Sequence, residues 1–365
     1  MLAPGPHTAI KSWVMSIVSR HLQTPRLDIK FLDTGGSGKP VVFIHGNIST
    51  GEFFSDLLLK LPAEYRGIAP DLRGFGDTEP KPIDATRGVD DFVDDIHSLL
   101  STIEGVAGKR VVLCGWSVGG AVVLRFAMKY PELVAGLVLE APMSPFGFGG
   151  TRDSVGTPCF SDFAGSGAGT ASPQFVECLA KKDRSADTDF SPRKIVRSFF
   201  FKTGYQLSAE DEDRYVEEIL KTQLGADHYP GDASGSANWP TLAPGTRGMN
   251  NAISAKYVNL SDFAKVSSRP KVLWIRGTDD QIVSDTSLFC FGFLGKLGVI
   301  PGWPGDDSFP PQPMVSQMRA LLDSYRANGG AYEEIVLEGC GHSPHLEKPT
   351  EFREKLLGFL TEVMG

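Results

Sequence analysis

The feature that most constrains the fold is a succession of strand, turn, helix and strand over residues 109–142. "KRVVLCG" (109–115) is an apolar run of the kind that forms a strand buried on both faces of a sheet. Residues 118–130 have the composition of a helix, and "LVAGLVLEAP" (133–142) predicts the next strand. Strands that alternate with helices in this way predict a parallel sheet with right-handed crossovers.

The same alternation extends to both sides of this segment. Further strands are predicted at 27–33, 40–46, 270–277 and 332–339, and residues 65–80 predict a short strand that ends in a glycine-rich loop. Helices are predicted at 89–105, near 313–327 and near 349–363. Residues 27–33 alternate apolar and polar, which predicts a strand with one face in water.

The alternation of strands and helices is interrupted between residues 144 and 262. This stretch has glycine-rich connections and three helical segments, near 173–181, 191–202 and 208–223. The prediction is an α/β fold with a mostly parallel central sheet flanked by helices. Residues 1–143 and 263–365 would form its core, and 144–262 an inserted, mainly helical cap subdomain. A second, shorter insertion follows Asp285.

Composition restricts the partners. The formal net charge of −8 argues against nucleic acid or an anionic membrane surface. Apolar runs are too short for a membrane helix, so stable membrane insertion is not expected. The five cysteines lack metal-site spacing, which predicts free thiols in a reducing, cytoplasmic compartment. The expected partner is a small-molecule substrate, with no metal or cofactor; a homodimer stays open.

The N-terminal segment has apolar residues at helical spacing, with Lys11 and Arg20 between them. These apolar residues are Ile10, Trp13, Val14, Ile17, Val18 and Leu22. They predict an amphipathic helix packed on the body of the protein, and a membrane-surface or partner-docking helix is the alternative.

Ser117 lies between two glycines, in Gly115-Trp116-Ser117-Val118-Gly119. A Gly-x-Ser-x-Gly sequence between a strand and a helix is typical of a nucleophile elbow. The serine occupies a strained turn, and side chains two residues before and after it would collide with backbone. The helix that follows presents the Val118 N–H to a developing oxyanion.

A serine nucleophile needs a base that is oriented by an acid. His342 follows an apolar strand in the glycine-flanked loop "LEGCGHSPHLEKP", which places it at the same sheet edge as Ser117. His345 is the alternative candidate for the base, and it is expected to be a structural or pocket-lining residue instead. Asp279 and Asp280 both follow the strand at 270–277, and only one of them can be the acid.

With these motifs the sequence resembles the α/β-hydrolase superfamily, in the cap-bearing branch that includes esterases, epoxide hydrolases, dehalogenases, haloperoxidases and carbon–carbon hydrolases. The matching stretches are "VVFIHGN", "PDLRGFGDTEP", "CGWSVGGAVVLRFAMKYPELVAGLVLEAP", "WIRGTDDQIVS" and "EGCGHSPHLEKP". The resemblance implies the α/β-hydrolase fold and a Ser117–Asp280–His342 triad, with Asp279 a loop residue.

The resemblance also implies an oxyanion hole, formed by the backbone N–H groups of Asn47 and Val118. His45, in the same "HGN" sequence, is expected to be structural. Trp116 and the insertion residues Phe146 and Trp239 are expected to line a substrate pocket, and packing is the alternative for each. Dehalogenases and epoxide hydrolases carry an aspartate at the elbow, so Ser117 argues against both activities.

Three functions fit these residues. The first is a serine hydrolase that cleaves a small to medium apolar ester, thioester or lactone through an acyl-enzyme. The second is a carbon–carbon bond hydrolase of the β-diketone type, or a cofactor-free perhydrolase, on the same triad. The third is a non-catalytic ligand-binding protein of this fold.

Overall fold

The protein, described by a computed structural model over residues 16–365, is built on one eight-stranded sheet. The strands are β1 (Val18–Gln23), β2 (Asp28–Asp33), β3 (Lys39–Ile44), β4 (Tyr65–Pro70), β5 (Val111–Trp116), β6 (Val134–Glu140), β7 (Lys271–Gly277) and β8 (Tyr332–Leu337). Their order across the sheet is β1-β2-β4-β3-β5-β6-β7-β8. β2 is antiparallel to β1 and β4, and all the other pairs are parallel.

The part of the chain that the structure describes has six helices of eight residues or more: α1 (Asp90–Thr102), α2 (Val118–Lys129), α3 (Pro173–Ala180), α4 (Ala209–Ile219), α5 (Met314–Ala327) and α6 (Pro349–Met364). Shorter helices are Ser55–Leu58, Pro192–Ile195, Met249–Ala252, Phe291–Lys296 and Pro344–Glu347, and a π-helical turn covers Val196–Phe200. The helices predicted for the core are thus confirmed, with ends that differ by a few residues.

The core is centred on β3, β5 and β6. Every residue of β5 is buried, as are five of the six residues of β3, because both faces of these strands are covered. The fold class predicted from the alternation of strands and helices is therefore correct. Parallel strands place their carboxyl ends at one edge of a sheet, where ligands bind in open α/β folds.

Two local predictions were wrong. Val18–Gln23 form β1 instead of a helix, because they pair with Asp28–Asp33 across a tight turn; the rest of the predicted N-terminal helix, residues 10–15, lies outside the described residues. β2 has no face in water. Its polar residues Lys30 and Asp33 are buried, and each has a charged partner.

None of the eight strands falls within residues 144–262. That stretch contains α3, α4 and two small ribbons, Leu224–Gly225 with Tyr229–Pro230 and Ala233–Gly235 with Leu242–Pro244. Its division from the core as a cap remains a prediction, and "the insertion" below means residues 144–262. Among residues 16–365, no helix combines the length and the apolar character needed to cross a bilayer.

Buried polar contacts join the insertion to other parts of the chain, near its start and from α4. Near its start, Ser144 Oγ donates to Gln317 Oε1 at 2.6 Å, and the Gly149 N–H donates to Gln312 Oε1 at 2.6 Å. From α4, Glu218 Oε2 accepts a 2.8 Å hydrogen bond from the Thr50 hydroxyl. Because these groups are buried, breaking one partner would leave the other unsatisfied, so the contacts hold residues 144–262 to these neighbours.

Candidate active site

Ser117 stands between β5 and α2 with a backbone conformation rare for a non-glycine residue, φ 57° and ψ −118°. Three main-chain hydrogen bonds hold it there: its N–H donates to Glu140 O at 2.9 Å, and its carbonyl accepts from Gly120 and Met143 at 3.0 Å each. Strain of this kind persists only where the surroundings overdetermine it. The side chain is thereby held at the end of the strand.

The glycines around Ser117 have a steric reason. A Cβ added at Gly115 would lie 2.2 Å from Gly119 O, and one at Gly119 would lie 2.1 Å from Ile44 O. Both separations are far below van der Waals contact. At Gly46, an added Cβ would lie 2.9 Å from the Cβ of Ser117, so the loop after β3 runs directly against the serine.

His342 and Asp280 meet at this same edge, on the loops that follow β8 and β7. His342 Nδ1 lies 2.8 Å from Asp280 Oδ2, where the carboxylate accepts the imidazole N–H. The other oxygen, Oδ1, accepts from the N–H groups of Ile282 and Val283 at 2.8 and 2.9 Å. With Nδ1 protonated, Nε2 carries the lone pair a general base needs.

Ser117 Oγ and His342 do not form a hydrogen bond in this structure. The two loops are nevertheless linked, since Trp116 Nε1 donates to the His342 carbonyl at 2.7 Å. Ser117 is 8% exposed and His342 is 3% exposed. In sites without substrate, hydrogen bonds between nucleophile and base are often long or misaligned, and they tighten in the complex.

The residues suggested for an oxyanion hole lie beside the serine. Val118 is the first residue of α2, and Asn47 follows Gly46. Within residues 16–365, neither N–H donates to a main-chain acceptor. The Asn47 side chain donates from Nδ2 to Oδ1 of Asn250 in the insertion at 3.1 Å, whereas its own Oδ1 is buried and has no hydrogen-bond partner among the described residues.

His45 ties two loops together. Its Nε2 accepts from the Leu72 N–H at 2.9 Å, and its Nδ1 lies 2.7 Å from Gly46 O. The ring is fully buried, and this burial lowers the pKa of His45 to about 4. A neutral ring with both nitrogens engaged is suited to holding loops in place.

Trp116 is 1% exposed and sits in an aromatic cluster. Its ring centroid lies 5.6 Å from Phe53, 5.9 Å from Phe200 of the insertion, 5.7 Å from His342 and 5.3 Å from His345. The indole therefore packs between both histidines and anchors one of their loops, and its role as a pocket wall stays a prediction.

Phe146 and Trp239 pack against other residues of the two insertions, and their role in a pocket stays a prediction. Phe146 is buried against the backbone of Gly156. Trp239 lies 4.9 Å from Phe309, between ring centroids, and donates from Nε1 to Pro301 O at 2.9 Å. Trp239 thus joins the insertion to the second insertion after Asp285.

Sequence reasoning missed two residues at this edge. Glu140, the last residue of β6, is buried and accepts from both the main-chain N–H and Nδ1 of His345 at 2.7 Å. Asn250 contacts Asn47 from 203 residues away in the chain. A carboxylate at the end of a buried strand is a signal that could have identified Glu140. No local pattern identifies Asn250.

Cys114 and Cys340, which flank the motifs, are both buried. Burial raises the pKa of each thiol, so each stays protonated and is a poor nucleophile. Ser117 therefore has no competing nucleophile in the two adjacent cysteines.

A sequence profile described as the alpha/beta hydrolase family matches residues 41–355. The chain belongs to the alpha/beta hydrolase family. Among its relatives, a 2-hydroxy-6-oxo-2,4-heptadienoate hydrolase of Pseudomonas putida is 36% identical over 107 residues, 28% of this chain and 37% of the relative. A pimeloyl-[acyl-carrier protein] methyl ester esterase of Shewanella woodyi is 36% identical over 110 residues, 30% of this chain and 38% of that protein. The match spans less than half of the length of each relative.

Solved structures resemble this chain over nearly its whole length. An esterase from Exiguobacterium antarcticum gives a TM-score of 0.57 at 18% identity, covering 94% of this chain and 100% of that one. A bromoperoxidase from Bacillus anthracis gives 0.54 at 19% identity, covering 95% and 100%. At these identities the likeness establishes the fold alone.

Proposed function

We propose that this hydrolase cleaves small to medium apolar esters, thioesters or lactones through an acyl-enzyme on Ser117. The observation that carries the proposal is the strained Ser117 at the same sheet edge as the buried His342–Asp280 pair. The nucleophile Ser117, the acid Asp280 and the base His342 follow three different strands. This chain order is the one that the α/β-hydrolase arrangement uses.

The catalytic cycle has two steps. Ser117 Oγ attacks the substrate carbonyl carbon while His342 Nε2 takes the hydroxyl proton, and Asp280 stabilises the imidazolium that forms. The oxyanion accepts from the N–H groups of Asn47 and Val118, each worth about 2.7–4 kcal/mol in comparable sites. His342 then protonates the leaving group, the acyl–leaving-group bond breaks, and water activated by His342 releases the acid.

An apolar substrate is supported by the packing around the site. The insertion places Phe200 against Trp116, and Phe53 stacks on Tyr215 of α4 at 4.5 Å between centroids. Aromatic side chains from the core and from the insertion thus pack around Trp116, the residue before Ser117. An aromatic environment of this kind beside the serine favours apolar acyl or leaving groups.

Carbon–carbon bond hydrolysis on the same triad is a second candidate, favoured by the resemblance to the Pseudomonas putida hydrolase. Small p-nitrophenyl esters and a β-diketone distinguish the two activities. Faster turnover of the ester supports the first, and turnover of the diketone alone supports the second.

The test is labelling by a fluorophosphonate probe together with hydrolysis of an ester panel. Ser117→Ala should abolish labelling and lower kcat by about 10³-fold or more, with folding unchanged by circular dichroism. Ser234→Ala, at an exposed serine of the insertion, is the matched control and should behave like the parent protein. Labelling that survives in Ser117→Ala would overturn the mechanism.

A further inference from the structure

A second histidine–carboxylate pair lies on the other side of Trp116, and the catalytic cycle does not use it. His345 Nδ1 and Glu140 Oε1 are 2.7 Å apart, and their side chains are 0% and 3% exposed. The His345 ring stacks on Phe54 with centroids 4.7 Å apart. The pair is therefore sealed from solvent and lies against Trp116, the residue before the candidate nucleophile.

Hydrogen-bond chemistry fixes the arrangement of this pair. His345 Nε2 lies 3.1 Å from the Phe53 carbonyl, which can only accept, so Nε2 carries a hydrogen. Nδ1 faces Glu140 Oε1, and two lone pairs cannot approach to 2.7 Å without a proton between them. The same oxygen accepts the His345 main-chain N–H at 2.7 Å. Both ring nitrogens are satisfied, which leaves the imidazole one orientation.

Glu140 contacts both halves of the proposed catalytic machinery. Its carbonyl accepts the Ser117 N–H at 2.9 Å, and its carboxylate holds His345, three residues after His342. Trp116 is paired with Glu140 across β5 and β6, and its indole holds the His342 carbonyl. One residue thus fixes the nucleophile through its main chain and the loop of the base through its side chain.

We propose that Glu140 and His345 form a positioning pair that sets the distance and direction between Ser117 Oγ and His342 Nε2. This inference rests on the proposed function of Ser117 and His342. Because the pair touches neither the substrate nor the reacting atoms, its loss acts on the chemical step and leaves substrate binding in place. A misplacement of about 1 Å between reacting groups can cost about 10²-fold in rate.

The experiment measures kcat and KM for a p-nitrophenyl ester in Glu140→Gln, His345→Gln and the double variant. Rates are divided by the concentration of serine that the fluorophosphonate titrates, so unfolded protein does not count. Each single variant should lose about 10- to 100-fold in kcat, with KM within about twofold of the parent value. The double variant should be no slower than the slower single variant, because one coupled unit is removed.

The control is Asp28→Asn, which breaks the exposed His21–Asp28 pair at the far edge of the sheet and should leave kcat unchanged. Three outcomes would assign the pair to stability and overturn the proposal. They are unchanged kcat in the folded single variants, additive losses in the double variant, and failure of both single variants to fold. Persistent labelling of Ser117→Ala overturns the proposed function instead, and with it this inference.

Discussion

His342 Nδ1 lies 2.8 Å from Asp280 Oδ2, and this contact joins the loops that follow two neighbouring parallel strands, β7 and β8. Both side chains are 3% exposed. The carboxylate is itself fixed, because its second oxygen accepts two main-chain N–H groups. The imidazole is thus oriented by an acid that cannot rotate away.

The neighbouring aspartates provide a matched test of this contact. Asp280→Asn should lower kcat by about 10³–10⁴-fold, because the amide donates to Nδ1 and moves the imidazole proton to Nε2. Asp279 is exposed, and Asp279→Asn should retain kcat within about twofold. Ester hydrolysis by both variants checks the assignment; a larger loss in Asp279→Asn would move the acid by one residue.

The elbow makes a steric prediction. Gly119→Ala places a Cβ 2.1 Å from Ile44 O, so the backbone must shift, and we expect a loss of about 1–3 kcal/mol in the free energy of unfolding. Gly358→Ala, in α6, meets nothing within 4 Å and should instead stabilise by about 0.5–1 kcal/mol. Urea denaturation measures both, and equal effects would contradict the close approach at the elbow.

His45 predicts a pH dependence of stability. Burial lowers its pKa to about 4 in the folded protein, whereas the unfolded chain has an ordinary value of about 6.5. The folded state therefore binds fewer protons in this window, and stability is retained above about pH 6.5 and lost as the pH falls towards 4.

From pH 7 to pH 4.5 this group should cost about 2 kcal/mol in the free energy of unfolding. His45→Gln removes the titration, so its stability should fall less over the same interval, although it starts lower. Urea denaturation at both pH values measures the difference. Parallel curves for the parent and the variant would show that His45 does not titrate on unfolding.

The contact between Asn47 and Asn250 predicts that the insertion influences catalysis. Asn250→Ala removes the acceptor for Asn47 Nδ2 and leaves the amide beside the serine without either partner. We expect kcat/KM to fall about fivefold to tenfold, the equivalent of ~1 kcal/mol. Asn259→Ala, at an exposed loop residue of the insertion, is the control. Equal kcat/KM in both variants would show that the Asn47–Asn250 contact does not influence catalysis.

Much of the fold was readable from local pattern. Continuous apolar runs identified β3, β5 and β6, because a strand covered on both faces has no polar positions to alternate with. The helical spacing of apolar residues likewise predicted α1. The prediction of a helix at the N-terminal segment was wrong for Val18–Gln23. Apolar residues spaced three and four apart do not exclude a strand when an adjacent segment can pair with it, as β2 does with β1.

The sequence by itself determined the elbow around Ser117, because the need for glycine at 115 and 119 is local to one turn and its two flanking elements. It also placed His342 and two aspartates at strand ends on one edge. The family resemblance implied Asp280 as the partner of His342, but only the tertiary structure decided that His345 meets Glu140. His342 pairs with Asp280 across 62 residues and His345 with Glu140 across 205, and such distances depend on the register and twist of the whole sheet.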